Sequence, residues 1–449
     1  MALTTNGEII KTPPRQPVGE ACRIKSLPPL TGVIRIPGDK AITHRAVIFS
    51  SIAQGTARIT NALLGYDCMA SIECMRRLGA KIDINGNTLT VTGAKGLKNN
   101  QRLNVGDSGT TLRLLTGLIA GAGVSAVLEG GDGLKNRPME QVVETLNGMG
   151  ARITSADGFA PITVKASQMR GAEVYLPVAG AQLKGALMLA ALNVRSGITI
   201  YEDTPTRDHS EIMFEEMSAD ITRGPGRVTV RPSVLKSLNM KIPGDLSGAA
   251  YFMAAATIIP GSHVVLRNVG VNPARTGIID IINSCGGRID VLNESMHRGE
   301  PVADIMVESA PKIKPFNISG ALAPRIIDEL PVLAVMACFA DGESNISGAS
   351  ELRHKESDRI TNTVAALKMM GARIEETGDG MRIWGGGVLN GGARIDPRGD
   401  HRVAMTLAVA GAASLEGVEI LNPGIVGKSY PDFFKIFSGA KEDAGRDGD

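Results

Sequence analysis

The segment PGDKAITHRA (37–46) sets Lys40 and Arg45 five residues apart, directly behind a Pro-Gly-Asp turn. Similar placements recur along the chain. In VGDSGTTLRLL (105–115) a turn containing Gly109 runs into a helix expected to start near Thr110 or Thr111. Free N–H groups and the helix dipole make such a corner an anion site, and capping by Asp107 or Ser108 is the competing explanation. In GDGLKNRPMEQVV (131–143) Arg137 precedes a proline suited to a first helical turn, which aims a guanidinium at a helix start. ELRHKESDRI (351–360) packs Lys355, Glu356 and Arg359 together, with Lys355 and Arg359 expected on one helix face. A plain surface ion-pair face has the same pattern. GDHRVAM (399–405) brings Asp400, His401 and Arg402 ahead of an apolar helix, and GIVGKSYPDFF (424–434) supplies Lys428. The Gly-Lys-Ser there is not a phosphate loop, because that motif needs glycine at 422 and the chain has Asn422.

Carboxylates complete the set. IIDELPVLAVMACFA (326–340) puts Asp328 and Glu329 at the entrance to an apolar helix, as caps or as a general base held near cations. H-E-x-x-H, G-x-S-x-G and paired Cys/His arrangements are missing from the sequence, so metal hydrolysis and serine or cysteine nucleophilic catalysis have no support.

The elements that carry these residues follow a repeat. An amphipathic stretch, a stop centred on glycine, a short stretch with a basic residue and isoleucine, and a hairpin recur at Gly79, Gly150, Ser218, Gly286, Gly371 and Gly439, at intervals of 71, 68, 68, 85 and 68 residues. Helical periodicity that ends at a left-handed residue and passes into alternating strands with Asn-Gly or Asp-Gly turns gives a helix plus a hairpin per unit. The period is too long for the common solenoids. The expected fold is therefore α/β, built from α+β repeats: six units shared between two domains. The sixth unit lacks its own hairpin, so the strand in IKSLPPLTGVIRIPG (24–38) is expected to return and complete it. That makes one domain discontinuous, 1–38 plus 245–449, with 39–244 inserted and the crossing near PGDLSGAAYF (243–252). Unrelated α/β units that merely end alike are the alternative.

Composition narrows the function. The 449 residues include 43% apolar types, enough for large cores, and Lys+Arg 48 against Asp+Glu 46 leaves a formal charge of +2. With aromatics at 3%, neither a nucleic-acid surface nor a stacking platform is indicated. Five cysteines without a C-x-x-C point away from disulfides and zinc and toward a reducing cytoplasm. The longest apolar runs, such as AAYFMAAATIIP (249–260), are shorter than the roughly 18 residues of a membrane span. The first twenty residues lack a hydrophobic signal region, and both ends read as loose.

Nine segments in this order resemble the enolpyruvyl transferase family, within it most closely the branch acting on shikimate 3-phosphate. They are PGDKAITHRA, GDSGTTLRLL, NRPM, AGAQLKGALMLAAL, TRDHSEIM, DELP, LRHKESDR, DHRVAM and KSYP, and they span about residues 27–437. The resemblance implies a two-domain inside-out α/β barrel with the active site in the interdomain cleft. It implies transfer of the enolpyruvyl group of phosphoenolpyruvate to the 5-hydroxyl of shikimate 3-phosphate, with phosphate released and no cofactor or metal. Lys40, Asp328 and Glu356 would be catalytic. Lys40, Gly109, Arg137, Gln182, Arg359, Arg402 and Lys428 would bind phosphoenolpyruvate. Lys40, Ala41, Arg45, Gly180, Ala181, Gln182, Arg207, Asp328 and Lys355 would bind the acceptor. Cations divided between two domains would repel across an unliganded cleft, so ligand-driven closure is expected. A cytoplasmic monomer with small-molecule substrates, and neither nucleic acid nor membrane as partner, is the expectation.

The departures fall at ligand positions. Ala41 stands where the family has serine after the lysine, Gly180 replaces the serine of S-A-Q, Asp107 replaces the asparagine of G-N-S-G-T, and Gly185 stands where serine is frequent. Hydrogen bonds to charged groups contribute roughly 1.5–3 kcal/mol each, so two missing hydroxyls weaken acceptor binding by about two to four powers of ten unless compensated. A different hydroxyl acceptor, or an anion-binding homologue without catalysis, stays open on the sequence. The UDP-N-acetylglucosamine branch does not fit, because the loop before Arg137 is GGDGLKN and lacks that branch's cysteine.

Overall fold

The computed structural model describes residues 20–135, 137–176 and 180–439. The polar ends, Asn136 of NRPM and the last residues of the sixth repeat therefore lie outside the described residues. All six repeat anchors take left-handed backbone, with φ of 115° at Gly79, 95° at Gly150, 62° at Ser218, 90° at Gly286, 92° at Gly371 and 86° at Gly439. The described strands form six sheets, five of four strands and one of three. In the second unit, Gln101–Asn104 runs parallel to Ala126–Glu129, which pairs antiparallel with Phe159–Lys165, and Arg152–Ala156 closes the hairpin. The other four-stranded sheets repeat this order.

Two leading strands are exchanged. Thr31–Arg35 directly precedes the helix Lys40–Ile52 but pairs with His263–Gly270 of the fourth unit. Met240–Lys241 precedes the fourth unit's helix Leu246–Ile258 but pairs with Thr56–Thr60 of the first. The chain thus crosses twice, and the crossings lie side by side: Asp39 N–H donates to Pro243 O at 2.8 Å and Asp245 N–H to Pro37 O at 2.9 Å. The sixth sheet is completed by Ala21–Ile24, which registers Ala21 opposite Leu421. This corrects the expected position of that strand: 24–38 contributes Ile24 alone to the sixth unit, because the strand at 31–35 is taken by the fourth.

Each unit buries one inner helix: Lys40–Ile52, Gly109–Gly121, Ala181–Ala191, Leu246–Ile258, Leu330–Cys338 and His401–Ala412. The last three are buried along their whole length, as their nearly continuous apolar sequences require. Buried apolar residues form two clusters, one drawn from positions 42–242 and one from Ile24, Ile36 and positions 246–437. Among the described residues no helix is long and apolar enough to cross a membrane.

Candidate active site

The N-terminal ends of three inner helices carry Lys40, Asp328 with Glu329, and Asp400 with His401 and Arg402. Lys40 is the first residue of its helix, behind the Asp39 cap, whose carboxylate accepts from Ile42 N–H at 2.8 Å. Ser108 caps Gly109–Gly121 by accepting from Thr111 N–H, so the helix begins slightly earlier than expected and Asp107 is not its cap. Asp107 instead accepts from Gly133 N–H at 2.9 Å and lies 3.7 Å from Lys428 Nζ. Gly180 and Ala181 begin the helix that carries Gln182, and Gln182 binds Arg113 at 3.1 Å and Thr110 at 2.9 Å. Glu329 precedes Leu330–Cys338, leaving Asp328 one residue before the helix mouth. Asp400 caps His401–Ala412 through the N–H of Arg402 at 2.8 Å. Helix N-termini carry partial positive charge, so these starts add to the side-chain cations around them.

One ionic network joins the two halves of the chain. Asp328 receives Arg207 at 2.8 Å, Arg359 at 3.2 Å and Arg402 at 3.4 Å. Arg359, 1% exposed, also pairs with Glu356 and reaches Asp400 at 2.8 Å. Glu356 is 3.5 Å from Arg137. Lys40 pairs with Asp67. Arg207 and its two successors all face the other half: Asp208 accepts from Asn272 at 2.8 Å and His209 Nδ1 lies 2.6 Å from Glu300. The self-repulsion expected between the halves is therefore offset here by carboxylates interleaved with the cations.

The charges set one another's proton affinity. Burial would raise Asp328, but Arg402, Arg207, Lys355 and Arg359 together hold it well below the usual carboxylate range. Burial opposes ionisation of Glu356 in the same way, and Arg359, then Arg137 and Lys40, overcome it. Burial would lower Lys40, yet Asp67 and then Glu356 leave it raised. Burial, reinforced by Lys40, pushes His401 far below its ordinary value and keeps it neutral. The result is two stably ionised carboxylates within a cationic surround, suited to gripping a small polyanion and moving protons beside it.

Two local expectations change. Lys355 and Arg359 do not share a helix face: Ser350–His354 is a 3-10 turn, and a new helix, Arg359–Met369, starts behind Asp358, which accepts from Thr361 N–H at 3.0 Å. Lys355 pairs with Glu351 while remaining near enough to lower Asp328. Arg137 does not point at the helix after its proline, Glu140–Gly148, but covers Gly109, where an added Cβ would sit 2.7 Å from the guanidinium carbon.

Comparison with known proteins gives the same direction. The family model described as EPSP synthase (3-phosphoshikimate 1-carboxyvinyltransferase) matches residues 24–437. The chain belongs to the EPSP synthase family. A Thermoanaerobacter sp. (strain X514) relative named 3-phosphoshikimate 1-carboxyvinyltransferase is 46% identical over 413 residues, 91% of this chain and 97% of its own. A Bacillus licheniformis relative of that name is 40% identical, covering 90% and 96%. The structure of an EPSP synthase from Acinetobacter baumannii superposes with a TM-score of 0.82 at 34% identity, covering 93% of this chain and 97% of that one. An enolpyruvyl transferase from Streptomyces tendae, 19% identical with a TM-score of 0.75 over 93% and 96%, shares the fold.

Against the family's pattern, the substituted positions have particular surroundings. Arg45 is buried, donating to the Ala41 carbonyl at 3.1 Å and to Ser210 Oγ at 2.7 Å. A Cβ on Gly185 would lie 3.2 Å from that same Ser210 oxygen, so Ser210 brings a hydroxyl up to the space beside Gly185. Sequence reasoning missed Asp67, Arg113, Asp245 and Arg275, and gave His401 no role. Asp245 was findable: Pro243-Gly244-Asp245 copies Pro37-Gly38-Asp39. Arg275, in VNPART, has no such signal.

Proposed function

We infer that this EPSP synthase family member transfers the enolpyruvyl group of phosphoenolpyruvate to the 5-hydroxyl of shikimate 3-phosphate and releases phosphate. The observation that carries the reading is the network that links Arg137, Glu356, Arg359, Asp328, Arg402 and Arg207 across both halves of the chain. The segments 39–244 and 1–38 plus 245–449 act as two domains with the substrates between them, a division supported by the separate apolar clusters. The phosphoenolpyruvate phosphate lies with Lys40, Arg137 and Lys428 above Gly109 and Gln182, and Arg359 and Arg402 take its carboxylate by their planar forks. Arg45 takes the acceptor carboxylate from beside Ala41, and Gly180, Ala181, Gln182, Arg207 and Lys355 hold the rest, the two cations nearest its phosphate.

The carboxylates reserve the cations until substrate arrives. When the phosphoenolpyruvate carboxylate takes Arg359 and Arg402, Asp328 loses two of the charges that hold its proton affinity down. Its affinity rises as the acceptor hydroxyl reaches it, which favours removal of that proton. Arg359 is also the chief cation holding Glu356 ionised, so its engagement by the substrate carboxylate lets Glu356 take up a proton from solvent. The hydroxyl oxygen then bonds to C2 of phosphoenolpyruvate as Glu356 gives that proton to C3, forming a tetrahedral intermediate. C3 returns the proton to Glu356 as the bond from C2 to the phosphate oxygen breaks, which restores the enol ether, and the proton held by Asp328 leaves with the phosphate. The protein works as a cytoplasmic monomer. Purified protein should release phosphate only when phosphoenolpyruvate and shikimate 3-phosphate are both supplied; release with another hydroxyl compound, and none with shikimate 3-phosphate, overturns the assignment.

A further inference from the structure

The two crossings between the halves meet at one buried side chain, Arg275, 4% exposed. Its Nη1 binds Asp39, the cap of the helix that begins at Lys40. Its Nη2 binds Asp245 at 3.0 Å and Ser247 Oγ at 2.7 Å, and Asp245 caps Leu246–Ile258 through Ser247 N–H at 2.9 Å. The other Asp245 oxygen receives Lys40 N–H at 3.4 Å. Ser247 Oγ in turn donates to Glu329, the residue before Leu330–Cys338 and next to Asp328. A single guanidinium therefore connects the starts of three inner helices, one from the inserted segment and two from the other half.

We propose that Arg275 is a positioning residue for the transfer reaction, holding Lys40 of one half in register with Asp328 of the other. The proposal rests on the reading that Lys40 and Asp328 act on the substrates. The chemistry requires a fork: an ammonium on a flexible stem is a point charge and cannot hold two carboxylates on two helices at fixed separation, whereas a planar guanidinium does so with separate nitrogens. Charge balance alone does not explain it, since Arg275 faces Asp39, Asp245 and Glu329 together. Burial raises Asp245 and Glu329, and the Arg275 guanidinium between them opposes that rise.

The test is a double-mutant cycle on the full chain, read by phosphate release under saturating substrates. Arg275→Lys is expected to lower kcat by about ten- to a hundredfold, the range of a misplacement of roughly 1 Å, and to change either KM by less than about threefold, because it leaves the anion-gripping arginines in place. Lys40→Arg alone is expected to be impaired, and adding Arg275→Lys to it should lower kcat by less than about threefold further. If Lys40→Arg is fully active, the functional reading of Lys40 fails, whatever Arg275 does. If Lys40→Arg is impaired while Arg275→Lys keeps wild-type kcat, or if the two losses simply multiply, the positioning role is overturned. Should Arg275→Lys not fold, Ser247→Ala carries the test, since it removes the hydroxyl that bridges Arg275 to Glu329 while leaving both carboxylate contacts of Arg275; a kcat reduced about three- to tenfold in a folded protein supports the role, and an unchanged kcat refutes it.

Discussion

Replacing Gly109 by alanine isolates the phosphate grip. A Cβ at this position would lie 2.7 Å from both Cζ and Nη1 of Arg137 and 2.8 Å from Nη1 of Arg113, against an ordinary contact of 3.4 Å or more. Arg137 must therefore retreat by the difference between 3.4 and 2.7 Å, about 0.7 Å, and both obstructing groups are ends of flexible side chains. The fold should tolerate this, since alanine is the better helix former at the start of Gly109–Gly121. The anion should not. Loss of one hydrogen bond between charged partners contributes roughly 1.5–3 kcal/mol, or about ten- to a hundredfold in affinity. Steady-state phosphate release is then expected to show KM for phosphoenolpyruvate raised by that factor, with KM for shikimate 3-phosphate within about threefold of wild type and the thermal midpoint unchanged within a few degrees. An unaltered KM for phosphoenolpyruvate in a folded variant refutes the placement of Arg137 on the phosphate.

Ala41→Ser restores a hydroxyl beside Arg45 and is expected to lower KM for shikimate 3-phosphate by about tenfold or more, read from the same assay. Gly65→Ala places a Cβ 2.8 Å from the carbonyl oxygens of both Gly427 and Lys428, which are backbone and cannot swing away. Because Gly65 leads into Asp67 and thus Lys40, kcat should fall about ten- to a hundredfold along with a loss of roughly 1–3 kcal/mol in urea stability. For acid, the sign follows from Asp328 and Glu356, both lowered in the folded state. Above their unfolded values, near pH 4, their contribution is complete; below it the unfolded chain takes protons first and stability declines toward the lower folded values. Urea midpoints between about pH 5 and 3 should therefore drop less steeply in Asp328→Asn than in wild type, and equal slopes would count against the network.

The placement of charge was legible where a turn and a charged residue stand in front of an apolar helix, as at Lys40, Asp328 and Arg402. There a surface residue has no packing reason to sit, and the helix start is marked by a capping Asp39 or Asp400, or by Pro331 after Asp328. Gly79 and its four glycine counterparts were legible because left-handed backbone favours a residue without a Cβ, and Ser218 was found by its place in the repeat. The break between Lys355 and Arg359 was within reach: Ser357-Asp358 before an apolar run is a start signal, although the charge spacing on its own suggests one helix. The exchanged strands were not readable. Met240–Lys241 is two residues long and has no period, and its partner is chosen by which sheet edge stands open. Arg275 is silent for a related reason, since its bond to Asp39 spans 236 positions.

That register of Ala21 with Leu421 bears on how the polypeptide reaches its native state during translation. The inserted stretch owns every strand of its three sheets, including Met240–Lys241, so it can condense while the ribosome is still producing the C-terminal half. The sixth sheet has to wait. Its first strand emerges at the beginning and its partner almost at the end, and until both are present the early segment travels with unmet backbone groups, open to proteases and to neighbouring nascent chains.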